Sequence, residues 1–237
     1  MKNKKKILLT GASGFIGQNL IKLNKDYFIF GVVRKKNKKL FKSDNIKYLE
    51  IDLTKKNFTK KLPNDIDFIL HFAQSKKYKA DTEAIKNILE VNFISTMQLL
   101  NFSKMIKIEK FIYASSGSIY DSSSNLILKE TQDVDPKNIY ALSKYYSELL
   151  INKYNIFFKT LSLRLFFPYE INKSYGYGYL NYLYNLLLNK DHVIKLPHNI
   201  YFRPIEISDL CNLIFKFLII NNKESIINLS GIKLHNT

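Results

Sequence analysis

Thr10-Gly-Ala-Ser-Gly-Phe-Ile-Gly17 decides how this chain is read. It follows the apolar run Ile7-Leu8-Leu9 and opens a stretch whose apolar residues recur with helical spacing. Three of the chain's eight glycines fall inside it. In the order strand, glycines, helix, each glycine has its own use. Gly11 takes the tight turn, Gly14 lets the backbone approach a pyrophosphate, and Gly17 allows close helix-to-strand packing. The helix start presents unpaired N–H groups to the anion. Gly11, Ser13, Gly14, Phe15, Ile16 and Gly17 are therefore the expected phosphate-binding loop of a dinucleotide.

Outward from this loop, further short apolar runs lie at Phe28–Val33, Ile46–Ile51, Phe68–Phe72, Phe111–Ala114 and Thr160–Leu165. Continuous runs of this length suit buried parallel strands. Helical segments near Phe15–Asn24, Thr82–Lys104 and Ile139–Tyr154 alternate with them. The pattern predicts an α/β fold, a Rossmann-type doubly wound parallel sheet over residues 1–165. After Pro168 the character changes to a Tyr/Gly loop at Ser174–Tyr179, a helix near Tyr179–Asn189 and a short strand near Val193–Leu196. A helix near Ser208–Ile220, with Ser208 as its N-cap, and a strand near Ser225–Leu229 follow. Residues 166–237 read as a small C-terminal substrate lobe.

Composition narrows the class. A chain of 237 residues with 46% hydrophobic and 24% charged residues buries a full core. The lone Cys211 excludes an internal disulfide framework and fits a reducing, cytoplasmic setting. One cysteine and four scattered histidines (His71, His192, His198, His235) disfavour a metal site. The basic start is followed by only three apolar residues before Thr10, too few for a signal peptide. No window approaches about eighteen apolar residues, so no membrane span is expected. The formal charge of +17 is spread along the chain, with clusters at Lys4–Lys6 and Lys35–Lys39. It reads as a solvated basic surface that draws anionic ligands, with nucleic acid disfavoured as a partner.

The second strand ends in Gly31-Val-Val-Arg-Lys-Lys36. An acidic residue here would accept the ribose hydroxyls of NAD; Arg34 stands there instead. A guanidinium suits a 2′-phosphate, so NADP(H) is favoured over NAD(H).

Taken together, TGASGFIG, Asp52-Leu53 after the third strand, His71-Phe-Ala73 after the fourth, and Ser116 with Tyr140 and Lys144 resemble the extended short-chain dehydrogenase/reductases. These are the NAD-dependent epimerase/dehydratase proteins that act on nucleotide sugars. The resemblance covers about residues 5–220. It implies that Asp52 and Leu53 sit at the adenine, that Phe72 and Ala73 line the cofactor trough, and that Asn92 and Lys144 belong to the cofactor site. It implies that Arg203 contacts substrate and that Ser116 is the serine of the catalytic set. It also implies a nucleotide-diphosphate sugar as substrate and a homodimer formed through the Thr82–Lys104 and Ile139–Tyr154 segments. The chain departs from the family where Glu170 replaces a glycine after Phe166-Phe-Pro-Tyr169, and the substrate lobe is expected to be shortened.

The pattern YxxxK occurs twice, at Tyr140…Lys144 and Tyr169…Lys173. Only the first lies on a predicted helix, where spacing of four puts both side chains on one face. A free tyrosine titrates near ~10, and a fixed cation beside it lowers that value. Tyr140 is thus the expected acid/base, with Ser116 polarising the substrate oxygen; Ser115 and Ser118 rank lower. Tyr145 and Tyr146 point elsewhere on the helix and are expected to pack or to face a partner. Family dehydratases carry an Asp-Glu pair after the catalytic residue, whereas Gly117-Ser118 stands here. The favoured reading is reduction of a 4-keto nucleotide sugar. The alternatives are an epimerase with retained NAD and, from another class, a non-catalytic dinucleotide-binding or sensor protein.

Overall fold

The computed structural model describes residues 4–77, 81–120, 127–170, 180, 201–221 and 223–236. Seven parallel strands form the central sheet: β1 (Lys6–Thr10), β2 (Phe28–Val33), β3 (Ile46–Glu50), β4 (Phe68–His71), β5 (Lys110–Ser116), β6 (Lys159–Leu165) and β10 (Ile226–Leu229). Their order is β10-β6-β5-β4-β1-β2-β3, so the winding reverses between β1 and β4. Ligands of such sheets bind outside the carboxyl ends of the strands at that reversal. Helices cover both faces. On one, α1 (Phe15–Leu23) and α5 (Ile207–Ile219) bury Leu20, Ile21, Leu210, Ile214 and Leu218. On the other, α3 (Ser95–Ile106) and α4 (Ile139–Lys153) bury Leu99, Leu100, Phe102 and Ile151. The Rossmann-type fold is as expected, but its bounds are not: β10 joins the central sheet and α5 covers it, so the sheet is not confined to residues 1–165 and these parts of 166–237 do not form a separate lobe.

Local sequence explains the boundaries. Asn138 starts α4 by accepting from the Ala141 N–H at 2.9 Å, and Asp81 starts α2 (Thr82–Ile88) by accepting from Ala84 at 2.8 Å. Ser208 does not cap α5. The Glu206 carboxylate does, accepting from the Ser208 N–H at 2.6 Å, so the serine lies within the first turn. The segment expected as one helix from Thr82 to Lys104 is α2 and α3 joined by a π turn at Leu89–Ile94. Beyond β6, β7 (Pro168–Tyr169) pairs with β9 (Ile205–Glu206), and β8 (Tyr201–Phe202) pairs with β11 (His235–Asn236). The helix and strand expected at Tyr179–Asn189 and Val193–Leu196 fall essentially outside the described residues. So do His192, His198 and Lys173. No helix among the described residues is long and apolar enough to cross a membrane.

The glycine loop sits at the reversal point. Gly11 has φ +73°, and a Cβ there would come within 2.7 Å of the Phe72 carbonyl. The turn is therefore left-handed and pressed against the exit of β4. Gly17 packs differently from expectation. A Cβ on it would meet the Gly11 carbonyl oxygen at 2.3 Å, so its contact is the loop itself and not a strand. Gly17→Ala should lower the unfolding free energy by about 1–3 kcal/mol, read by urea titration. Gly14→Ala should cost less, because its Cβ would meet only Gly11 O, at 3.1 Å.

Candidate active site

The first turn of α1 carries no side-chain cap, so its N–H groups remain open toward the loop Gly11–Gly14. Ser13 is exposed there, and Phe15 and Ile16 are half-buried at the helix start. Phe72 and Ala73 line the wall opposite and are nearly buried. An uncapped helix start beside a glycine that tolerates no Cβ is what a pyrophosphate requires, so these residues fit a dinucleotide.

At the outer edge, Arg34 is exposed just past β2 and Leu53 is buried. Burial pushes the Asp52 carboxyl up, but hydrogen bonds from Thr54 and the nearby Lys55 and Arg34 cations outweigh it and hold the group below the usual range. One Asp52 oxygen accepts from both the N–H and the hydroxyl of Thr54, at 3.0 and 2.9 Å.

A buried hydrogen-bond chain joins the loop to α4. His71 is fully buried, and burial, aided by the Lys144 charge, takes its imidazole down to about 3. It is therefore neutral and has one N–H to donate. Thr96 Oγ1 donates to the Asn92 carbonyl at 2.7 Å, so it accepts from His71 Nε2 at 2.9 Å. His71 Nδ1 then accepts from Thr10 Oγ1 at 2.6 Å, and Thr10 Oγ1 accepts from the Ala73 N–H at 3.1 Å. Ser147 of α4 donates to the same Asn92 carbonyl at 3.0 Å. The π turn presents that carbonyl, and such turns recur at functional sites. The Asn92 side chain takes the Ser75 N–H at 2.9 Å and donates to Ser143 Oγ at 2.9 Å.

These contacts place Tyr140 and Lys144 on the side of α4 that faces the sheet. The Lys144 ammonium is buried and donates to the Ala114 carbonyl at 2.6 Å. It lies 4.8 Å from the Tyr113 ring centre and 5.8 Å from that of Tyr140. Burial lowers Lys144 to about 7, with Glu148 pulling it back up. The Tyr140 hydroxyl donates to Gln74 Oε1 at 2.9 Å. Ser116 ends β5 two residues beyond Ala114, half-buried, with its hydroxyl 2.9 Å from that of Ser118. Ser115 points the other way and is buried. Gly117 lies under Phe166, whose ring a Cβ would strike at 2.2 Å. Phe167 has φ +46°, a conformation that bulky residues rarely adopt. Arg203 lies between β8 and β9, and its Nε is buried without a hydrogen-bond partner, which suits an anionic ligand. Tyr146 is exposed and Tyr145 is half-buried, stacked 6.4 Å apart.

Three residues escaped the sequence reading. Gln74 follows the noted His71-Phe-Ala73 but carries no motif of its own. Glu148 was legible, since Tyr140, Lys144 and Glu148 recur every fourth residue along one helix face. Arg164 completes a buried ion pair, its Nε and Nη2 reaching Glu148 at 3.1 and 2.8 Å. Only the fold brings β6 against α4. Among the described residues, no group of three or more His, Cys, Asp or Glu could hold a metal ion.

Comparison with known proteins bears on the family and the fold. The model of the NAD dependent epimerase/dehydratase family matches residues 7–176. A GDP-6-deoxy-D-talose 4-dehydrogenase of Aggregatibacter actinomycetemcomitans is 27% identical over 219 residues, 90% of this chain and 70% of that one. The human dTDP-D-glucose 4,6-dehydratase is 28% identical over 163 residues, 63% of this chain and 47% of that one. This chain spans about half to two thirds of the length of several such relatives. A UDP-glucuronic acid 4-epimerase of Bacillus cereus, solved with UDP-glucuronic acid and NAD, superposes with a TM-score of 0.81 at 23% identity, over 98% of this chain and 79% of that one.

Lys144 gives the site a pH-dependent stability. Below pH 7 both folded and unfolded chains hold its proton, and the penalty for burying the ammonium is full. From pH 7 to about 10.4 the unfolded chain keeps a proton that the folded chain has released, so stability rises with pH. Lys144→Met lacks this slope. The wild-type Tm measured against that of Lys144→Met should climb by roughly 5–10 °C across this window. A difference that stays flat with pH would disprove the low-titrating lysine.

Proposed function

This chain belongs to the NAD-dependent epimerase/dehydratase family, and we propose that it moves a hydride at C4 of a nucleotide-diphosphate sugar, with reduction of a 4-keto sugar as the direction. The observation that carries this is Lys144, buried and tied to Ala114, with its ammonium over the rings of Tyr113 and Tyr140. A pure dinucleotide binder has no use for an ammonium buried beside a tyrosine.

The fitted dinucleotide supplies the hydride when bound. Gly11, Ser13, Gly14, Phe15, Ile16 and Gly17 would hold its pyrophosphate, Asp52, Leu53 and Arg34 its adenosine end, and Phe72, Ala73, Asn92 and Lys144 its nicotinamide side. Tyr140 gives its phenolic proton to the carbonyl oxygen as the carbon gains the hydride, leaving an alcohol. Lys144 stabilises the phenolate that results. Ser116 donates to the same oxygen, and Arg203 takes a phosphate of the nucleotide. Arg34 favours NADPH, although the Asp52 carboxylate close by offsets part of its charge. That offset is the observation in favour of a second reading, an epimerase that retains NAD. Exposed Ile94 and Met97, with Tyr146 and Leu149 of α4, offer an apolar face for a homodimer within the same proposal.

Purified protein should oxidise NADPH in the presence of a 4-keto nucleotide sugar and should carry no nicotinamide after denaturation. Bound NAD, together with interconversion of two sugars without added cofactor, would overturn the reductase reading in favour of the epimerase. Tyr140→Phe should reduce turnover by about 10²–10⁴-fold.

Gln74 is a further group at the hydroxyl. As an acceptor it favours the protonated phenol. Gln74→Glu should move the ionisation of Tyr140 to higher pH and Gln74→Ala to lower pH. The shift is read as the ultraviolet difference between each variant and the same variant carrying Tyr140→Phe.

A further inference from the structure

The end of the sheet opposite the candidate site carries an unusual surface. In a parallel sheet every covering helix finishes there. The segments that enter β10, β6 and β5 are neighbours, because those three strands are adjacent. Each brings large apolar side chains into solvent. Met105 is 68% exposed before β5, Ile156 81% and Phe157 48% before β6, and Ile219 75% and Ile220 48% before β10. They include the three most exposed large hydrophobic residues of α3, α4 with its following turn, and α5.

Cations surround them. Segments 104–110, 153–160 and 216–225 hold seven lysines against two glutamates and no aspartate. Glu109 is already paired with Lys5 at 2.5 Å. Lys104 lies 3.9 Å from the centre of the Phe157 ring, which ties the end of α3 to the turn before β6. Lys110 is turned inward, donating to Phe217 O and Ile220 O at 2.7 and 2.6 Å, and it fixes the end of α5 beside β5. Between the last two segments lies a hollow of about 200 Å³. Lys159, Lys223, Asn155 and Asn221 line it, with Glu224 as its one carboxylate. Two ammonium groups and two amides around such a space suit a phosphate-bearing headgroup.

Apolar side chains standing out from a field of lysines, around a polar hollow, match the interfacial region of a bilayer and not bulk water. We propose that this edge docks the protein peripherally on an anionic membrane surface. The apolar tips enter the acyl boundary, the lysines meet lipid phosphates, and the strands' carboxyl ends face away with the candidate site open. The proposal is independent of which reaction the site performs. It is compatible with the absence of a membrane-spanning helix among the described residues.

The test is flotation of the purified chain with vesicles of phosphatidylcholine alone and of phosphatidylcholine mixed with phosphatidylglycerol. At least about ten-fold more protein should float with the anionic vesicles, in line with the attraction of a few surface lysines. Ile156→Ser combined with Ile219→Ser, both highly exposed and safe for folding, should abolish that gain. Lys153→Glu combined with Lys159→Glu should do the same, with circular dichroism unchanged in both variants. Three outcomes would overturn the proposal. One is no binding to either vesicle. Another is equal binding to both. The third is binding that survives loss of the two isoleucines and is matched by RNA, which would show charge alone at work.

Discussion

The site depends on one buried imidazole that must remain uncharged. His71 stands where β4 leaves the sheet, with Thr10 on one side and Thr96 on the other. Its single N–H gives the network a direction. Thr10 donates to the ring, the ring donates to Thr96, and Thr96 donates to the Asn92 carbonyl. Protonation would set two donors against each other at Thr10, and the dry surroundings make that charge costly. The arrangement is satisfied with one proton placement. It fixes Thr10, the residue before Gly11, relative to the π turn on which α4 rests. The glycine loop and the Tyr140 helix are therefore held in register through the side chains of Thr10, His71, Thr96 and Ser147.

The same dry interior explains Lys144. Its ammonium is inside because the Ala114 carbonyl and two aromatic faces receive it, and because Glu148 stands one turn further along α4. Glu148 is shared, since Arg164 grips its carboxylate through two nitrogens. Breaking one member of such a set leaves a buried charge unmatched, which costs far more than the intact pair contributes. Lys144 is thus balanced between burial, which makes it less basic, and the Glu148 carboxylate, which pulls it back up.

Much of this was written in local sequence. The loop Thr10–Gly17 and the short apolar runs gave the doubly wound sheet, because each strand's burial is encoded within its own few residues. Tyr140 and Lys144 could be chosen over Tyr169 and Lys173 because helical spacing fixes a shared face. What stayed hidden depends on the meeting of distant segments. Arg164 sits in an apolar run and reads as an interruption until β6 is laid against α4. Gln74 gains meaning only when Tyr140 lies across from it. The contact of Gly17 with the loop is hidden because spacing along a loop does not reveal that the loop folds back upon itself. The Glu206 cap was missed for a related reason. Serine is the commoner cap, and a longer carboxylate that reaches the same N–H groups leaves no distinctive pattern.

The two ends of the sheet differ in a way that backbone electrostatics alone would produce only in part. Parallel strands with covering helices direct every helix start toward one edge and every helix finish toward the other. The first edge is suited to phosphates. At the second, Lys22, Lys104, Lys153 and Lys216 lie in the last turns of their helices, where cations offset the partial negative charge. Those lysines need no partner to be explained. The exposed Ile156, Ile219 and Met105 are different, because dipole compensation offers them nothing and water opposes them. Selection for solubility alone would have placed polar residues at these helix ends. Their presence beside lysines, on the edge where binding would leave the candidate site clear, is what separates a contact surface from an ordinary charged end of a sheet.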